Sequence, residues 1–254
     1  MKMVEWEIIL ECNYNCKYCG LLDKSIMPHN QYKKFIKKLN YLYSDIEIFV
    51  FGGEPYLHKY IDSIIQEFIQ LKQPFVIQTN LSNYSANKII DINKNYNINI
   101  SIHPDQCDVN DIINNIIKVK NIVNIKNISL MYIGKKSLEY YNLISKVINV
   151  KLTPITDIAC TGYAKILKEY LSLKNNKIYQ NIYQFENDNI YINGISISRS
   201  KLWDMQNDGL FTPKNKECFY KDRYILFDPQ LNEYNCCYRK NNDGYCLNDT
   251  CFFM

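Results

Sequence analysis

Apolar residues follow two alternating rhythms along this chain, one repeating about every two positions and the other about every three to four. Val4 to Leu10 is a short apolar run with the length of a strand. Tyr32, Phe35, Ile36, Leu39 and Leu42 then recur at helical spacing within His29 to Leu42. The same exchange repeats. Ile46 to Phe51, Pro74 to Thr79 and Asn97 to Ile102 read as strands. Helices are expected between them, around Ile61, Ile64, Ile65 and Phe68 and over Ser85 to Ile92. Val109, Ile112, Ile113 and Ile116 mark another helix. Strands at Ile128 to Tyr132 and Val150 to Pro154 flank a helix over Leu138 to Val147. Six strand–helix units joined by short connections predict an α/β fold with a parallel sheet. Periodicity alone leaves an open doubly wound sheet and a curved partial barrel equally available.

The rhythm breaks after Thr156. Residues 162 to 174 read as a helix, and from Asn189 the chain becomes short strands and turns. Tyr224 to Phe227, a turn over Asp228-Pro229-Gln230-Leu231-Asn232, and Glu233 to Asn235 read as a hairpin. The division expected is a core over 1–160, a helical connection over 161–185 and an extension over 186–254.

Composition narrows the possibilities. A chain of 254 residues, 47% hydrophobic, is long enough for one large domain or one domain with an appendage. Its net charge of +4 is too slight to argue for nucleic acid as a partner. Lys33, Lys34, Lys37 and Lys38 sit between the apolar residues of the first helix and read as its solvated face. No run reaches membrane-span length, and Glu5, Glu7 and Glu11 interrupt any leader-like start. Ten cysteines without a secretion signal favour metal ligation in a reducing compartment, so the expected location is the cytoplasm, with no membrane partner.

The chemistry concentrates at the ends of the first two strands. Glu11-Cys12-Asn13-Tyr14-Asn15-Cys16-Lys17-Tyr18-Cys19 offers three thiols from one loop. Three thiolates are one short of the four that usually hold a four-iron, four-sulfur cube, and the remaining iron is left open for chemistry. Zinc calls for a fourth ligand, and none lies beside this loop in sequence. After the second strand comes Gly52-Gly53-Glu54-Pro55, where adjacent glycines permit close backbone approach to a ligand. Gln78-Thr79-Asn80 and Ser101-Ile102-His103 close the third and fourth strands with polar groups. In parallel α/β folds, ligands sit beyond these strand ends.

Together the cysteine loop, with Tyr18 before its third cysteine, and Gly52-Gly53-Glu54 resemble the radical S-adenosylmethionine (SAM) superfamily. That resemblance covers residues 1 to about 156. It implies a six-unit (β/α) partial barrel of the TIM type, open on one side. It also implies an oxidoreductase or maturase in which Cys12, Cys16 and Cys19 hold a catalytic 4Fe-4S cluster that reductively cleaves SAM. The resulting 5′-deoxyadenosyl radical removes a substrate hydrogen, and a reductase such as flavodoxin or ferredoxin supplies the electron. Gly52, Gly53 and Glu54 are expected at the methionyl amine, Asn80 and Ser101 at the ribose with Thr79 behind them, and Tyr18 at the adenine. Met131 and Ile155 are weaker adenine candidates. Turn capping by Thr79 and Asn80 is the plain alternative.

The tail resembles the start of a SPASM extension, or its shortened form, Twitch. Cys218 and Cys236 bracket the hairpin at the family's overall length, but Leu231 stands where the family has glycine, and Asn232 is expected to supply the left-handed residue instead. Cys218, Cys236, Cys246 and Cys251 are candidates for a second, auxiliary 4Fe-4S cluster, with Cys237 the weakest; structural zinc and unligated thiols are the alternatives. Cys107 and Cys160 are candidate hydrogen donors or small buried hydrophobes. The resemblance suggests a peptide substrate first, then oxidation or rearrangement of a small molecule or nucleotide precursor. A non-catalytic, metal-stabilised binding protein is the reading from another class.

Overall fold

The computed structural model describes residues 3–19, 31–154, 169–170, 172–173, 176, 178–179, 189–192, 195–198 and 224–235. Strands β1 (Met3–Ile9), β2 (Ile48–Gly52), β3 (Phe75–Thr79), β4 (Asn97–Ile102), β5 (Asn124–Tyr132) and β6 (Lys151–Pro154) alternate with helices α1 (Tyr32–Tyr43), α2 (Ile61–Gln70), α3 (Asn83–Ile92), α4 (Val109–Val119) and α5 (Lys135–Ile144). A single turn of 3-10 helix, Pro55–Leu57, follows β2. The six strands lie in chain order and pair in parallel. Unbroken order, with α1 against α2, α3 against α4 and α4 against α5, puts the helices in one layer. A doubly wound sheet would reverse its order and divide its helices between two faces. The one-layer arrangement is that of a barrel wall.

Strand alternation sorts the residues onto two faces. Trp6, Val50, Ile77, Ile100 and Leu130 are buried beneath the helices. Trp6 packs edge-on against Phe35 of α1 and Phe68 of α2, with ring centroids 5.0 and 6.3 Å away. The opposite, inner face carries Glu5 and Glu7 on β1, Phe49 and Phe51 on β2, Gln78 on β3, Asn99 and Ser101 on β4, Asn127 and Ser129 on β5, and Thr153 on β6, by the pairing register. In closed barrels this interior is filled by bulky branched side chains. Here, beyond β2, it is largely carboxamide and hydroxyl.

The tail rejoins the core. Strand β7 (Asn189–Ile192) pairs with β8 (Ile195–Ser198) as a separate antiparallel ribbon. The hairpin of β9 (Tyr224–Phe227) and β10 (Glu233–Tyr234) forms where the sequence indicates. In addition, β9 adds in parallel to the edge of β1, so β9 and β10 continue the same sheet. Tyr224 seals the join by donating its hydroxyl to Glu5 Oε2 at 2.7 Å.

The turn corrects one expectation. Leu231 itself, not Asn232, takes the left-handed conformation, at φ 67°. The Asp228 carboxylate accepts from the backbone N–H groups of Gln230 and Asn232, from Asn232 Nδ2 and from the Tyr234 hydroxyl, and these bonds hold the turn around Leu231. Leu231 also packs against the core, contact that glycine lacks. The expected helix over 162–174 is described only in part, with Glu169 and Tyr170 helical. Cys160, Cys218, Cys236, Cys237, Cys246, Cys251 and Ile155 lie outside the described residues.

Candidate active site

All the described strand ends with candidate chemistry meet at one cavity of about 240 Å³. The loop after β1 contributes Cys12, Tyr14, Cys16, Tyr18 and Cys19; β2 contributes Gly52 and Gly53; β3 contributes Gln78, Thr79 and Asn80; and β4 and β5 contribute Ser101, His103 and Met131. Of the candidates among the described residues, only Glu54 and Cys107 are absent from this wall.

Two glycines attach the cysteine loop to the sheet. Gly52 has φ 145°, and a Cβ on it would land on the Ile9 carbonyl oxygen. A Cβ on Gly53 would strike Glu11 O in the same way. With neither Cβ present, Gly53 N–H donates to Ile9 O and Glu54 N–H to Glu11 O, each at 2.8 Å. The start of the cysteine loop is thereby pinned along β2.

Glu54 faces inward. Its carboxylate is fully buried and accepts from Tyr56 N–H at 3.2 Å and Thr79 Oγ1–H at 2.9 Å on one oxygen, and from Asn80 N–H at 2.8 Å on the other. Burial pushes its pKa up to about 7, against the pull of these donors. Glu54 therefore ties the tip of β2 to the tip of β3, and the glycines, without its carboxylate, form that wall of the cavity. Asn80 does a similar job. Its Oδ1 accepts from Ser82 N–H, while its Nδ2 donates to Asn13 Oδ1 at 2.8 Å and lies 3.8 Å from Cys12 Sγ. Asn13 Nδ2 in turn donates to Ser82 Oγ at 2.8 Å. Thr79 and Asn80 thus cap the turn and also face the cavity.

The other side of the cysteine loop is held by the loop after β4. Gln106 Oε1 accepts from Asn15 N–H at 2.9 Å. Tyr18, only 5% exposed, stacks on His103 with centroids 5.9 Å apart and 15° between planes. One face of the ring proposed for adenine is thus already covered. Burial lowers the His103 pKa to about 4, which leaves the imidazole neutral at neutral pH, and raises that of the free Cys16 thiol to about 12, with Asp105 adding to the rise. Cys107 faces elsewhere: its thiol donates to His103 O at 3.2 Å, and it lines a second cavity with Tyr14, Gln106 and Asp108.

Three thiols from one loop lie around one cavity, and three cysteinyl ligands would leave one iron of a four-iron cube open.

A family model described as Radical SAM superfamily matches residues 6–131. Over those residues the chain is similar to that superfamily. No curated protein matches the chain. Among solved structures, Streptococcus suis SuiB bound to precursor peptide SuiA is 14% identical with a TM-score of 0.54, over 92% of this chain and 59% of that one. SuiB bound to S-adenosylmethionine gives a TM-score of 0.55 at 14% identity, over 92% and 60%. Native anSMEcpe with bound AdoMet and the Cp18Cys peptide is 14% identical with a TM-score of 0.56, over 97% of this chain and 76% of that one. At this identity the likeness is one of fold, and it agrees with a partial barrel. The chain spans about 60% of the length of SuiB. Among the described residues no helix is long and apolar enough to cross a membrane.

Proposed function

We propose that this protein reductively cleaves S-adenosylmethionine at a 4Fe-4S cluster held by Cys12, Cys16 and Cys19, and uses the 5′-deoxyadenosyl radical to take a hydrogen atom from a peptide. The observation that carries the first half is the meeting of all three thiols with Gly52, Gly53 and Ser101 around one cavity at the strand ends. When bound, the cluster supplies one electron and an open iron for the methionyl amine and carboxylate. Gly52 and Gly53 border the amine, Ser101 the ribose, and Met131 the adenine. Thr79, Asn80 and Glu54 hold those walls in position.

The peptide half rests on the inner face. Gln78 pairs with Asn99, and Asn99 with Asn127, so three carboxamides lie side by side across three strands below the cavity. A carboxamide carries both a donor and an acceptor, the complement of a peptide group, although Asn127 Nδ2 already donates to Ser129 Oγ at 3.0 Å. Two proteins sharing the fold have peptides bound, SuiA in SuiB and Cp18Cys in anSMEcpe. We assign Cys218, Cys236 and some of Cys246 and Cys251 to an auxiliary cluster. Support comes from Leu231, whose left-handed backbone occupies the position where the SPASM and Twitch pattern has glycine.

Anaerobic reconstitution with iron and sulfide, followed by dithionite and SAM, is expected to release 5′-deoxyadenosine. Colourless protein that retains only zinc would overturn the assignment. Iron remaining in a Cys12→Ala/Cys16→Ala/Cys19→Ala variant would support the second cluster, and iron-free variant protein would remove it.

A further inference from the structure

The hydrogen bonds around Tyr18 fix the tautomer of the neighbouring histidine. The Tyr18 hydroxyl donates to Asp105 Oδ1 at 3.0 Å, and a carboxylate there can only accept. The same phenolic oxygen lies 2.9 Å from His103 Nδ1. The hydroxyl also contacts Cys16; with its single proton directed to Asp105, the phenolic oxygen accepts from His103 and Nδ1 carries the hydrogen. That N–H also lies 3.5 Å from Cys16 Sγ, within reach of a hydrogen bond to sulfur. Tyr14 packs edge-on against the imidazole, with centroids 6.1 Å apart, and Tyr18 covers its flat side, so the ring has little freedom to swing away. Gln106 Nε2 donates to Asp105 Oδ2 at 2.9 Å and fixes the far end of the relay.

We propose that His103 is a positioning residue that donates a hydrogen bond from Nδ1 to the Cys16 sulfur and thereby raises the reduction potential of the cluster. Hydrogen bonds to cysteinyl sulfur draw off negative charge and stabilise the reduced cluster. Tyr18 and Asp105 act through His103 by selecting its tautomer. The proposal rests on the cluster assignment above, and the test separates the two.

The test is an EPR-monitored redox titration of the reconstituted full chain, with iron and sulfide measured on each sample. His103→Phe keeps the ring stack and loses the donor; its midpoint potential is expected to shift negative at unchanged iron content. His103→Asn places an amide N–H near the same point and is expected to return toward wild type. Tyr18→Phe removes the acceptor that keeps the hydrogen on Nδ1, so its potential is expected to shift negative by no more than that of His103→Phe, with His103→Leu standing in should His103→Phe fail to load a cluster. A potential unchanged in His103→Phe overturns the proposal. A shift in Tyr18→Phe larger than that of the His103 variant overturns it too, because the phenol would then be the donor to sulfur. Wild-type protein without a cluster ends the cluster assignment, whereas an intact cluster indifferent to His103 ends only this inference.

Discussion

The two halves of the inner face differ in whether their polar groups already have partners. From β10 through β9 and β1 to the tip of β2, the polar side chains are engaged within the protein: Glu54 by Tyr56, Thr79 and Asn80, Glu5 by Tyr224, and Asp228 by four donors of its own turn. From β3 to β6 the pairing is partial. Asn127 Nδ2 donates to Ser129 Oγ at 3.0 Å, whereas the buried Thr153 Oγ1 has no partner among the described residues, and Gln78 and Ser101 line the cavity. Polar groups that are paired at burial hold a scaffold in place, and unpaired ones beside a cavity are available for recognition. The engaged half holds the cysteine loop. The open half offers its chemistry to what enters.

The contrast breaks most visibly at Glu54. Glu54→Gln sets an amide nitrogen against N–H and O–H donors in a fully buried site, and cluster-free protein is expected to lose about 2–4 kcal/mol in chemical denaturation. Unchanged stability with weakened SAM binding would instead put that carboxylate in the cavity. Asp228→Ala removes the acceptor for the turn that holds Leu231 left-handed. A loss of about 2–3 kcal/mol is expected, read as a lowered denaturation midpoint at constant slope.

Glu5 yields a pH-dependent effect. Burial raises its pKa from 4.5 to about 7, with Tyr224 opposing the rise and Glu7 adding to it. Between those two values the folded protein binds more protons than the unfolded chain, so stability falls as pH increases through the window. Glu5→Gln removes this cost and retains an oxygen acceptor for Tyr224. The variant is expected to match wild type near pH 4 and to exceed it by roughly 1–3 kcal/mol near pH 8. A difference independent of pH would mean that Glu5 ionises normally. The smallest effect lies in the open half. Thr153→Val removes a hydroxyl that lacks a partner among the described residues and is expected to stabilise the ligand-free protein by about 0.5–1 kcal/mol. A loss of that size would reveal a bond within the protein.

The sequence makes the wall of the fold legible because each strand and helix there has its own local rhythm, and Cys12, Cys16, Cys19, Gly52 and Gly53 are legible because spacing and glycine content carry their geometry. What it conceals is non-local. Tyr224 bonding Glu5 joins residues 219 apart, and no periodicity reports that β9 pairs with β1. The direction of the Glu54 side chain depends on Thr79 and Asn80 arriving from another strand. Tyr18 looks like a free aromatic until His103 covers it. Leu231 breaks the expectation that a bulky residue avoids positive φ, because Asp228 imposes the turn from three residues upstream. The N-terminal end of β5 was missed for a simpler reason: Asn124 and Lys126 are exposed and Asn127 is polar, so its first residues lack an apolar rhythm.

The central claim is that three thiols leave one corner of the cluster for SAM, and low-temperature EPR of the dithionite-reduced protein with and without SAM tests it most directly. A spectrum that changes on adding SAM in the wild type, and any residual signal that does not respond to SAM in the Cys12→Ala/Cys16→Ala/Cys19→Ala variant, is the expected result. A reduced cluster whose spectrum stays the same at saturating SAM would contradict it, since every iron would then already have its ligand.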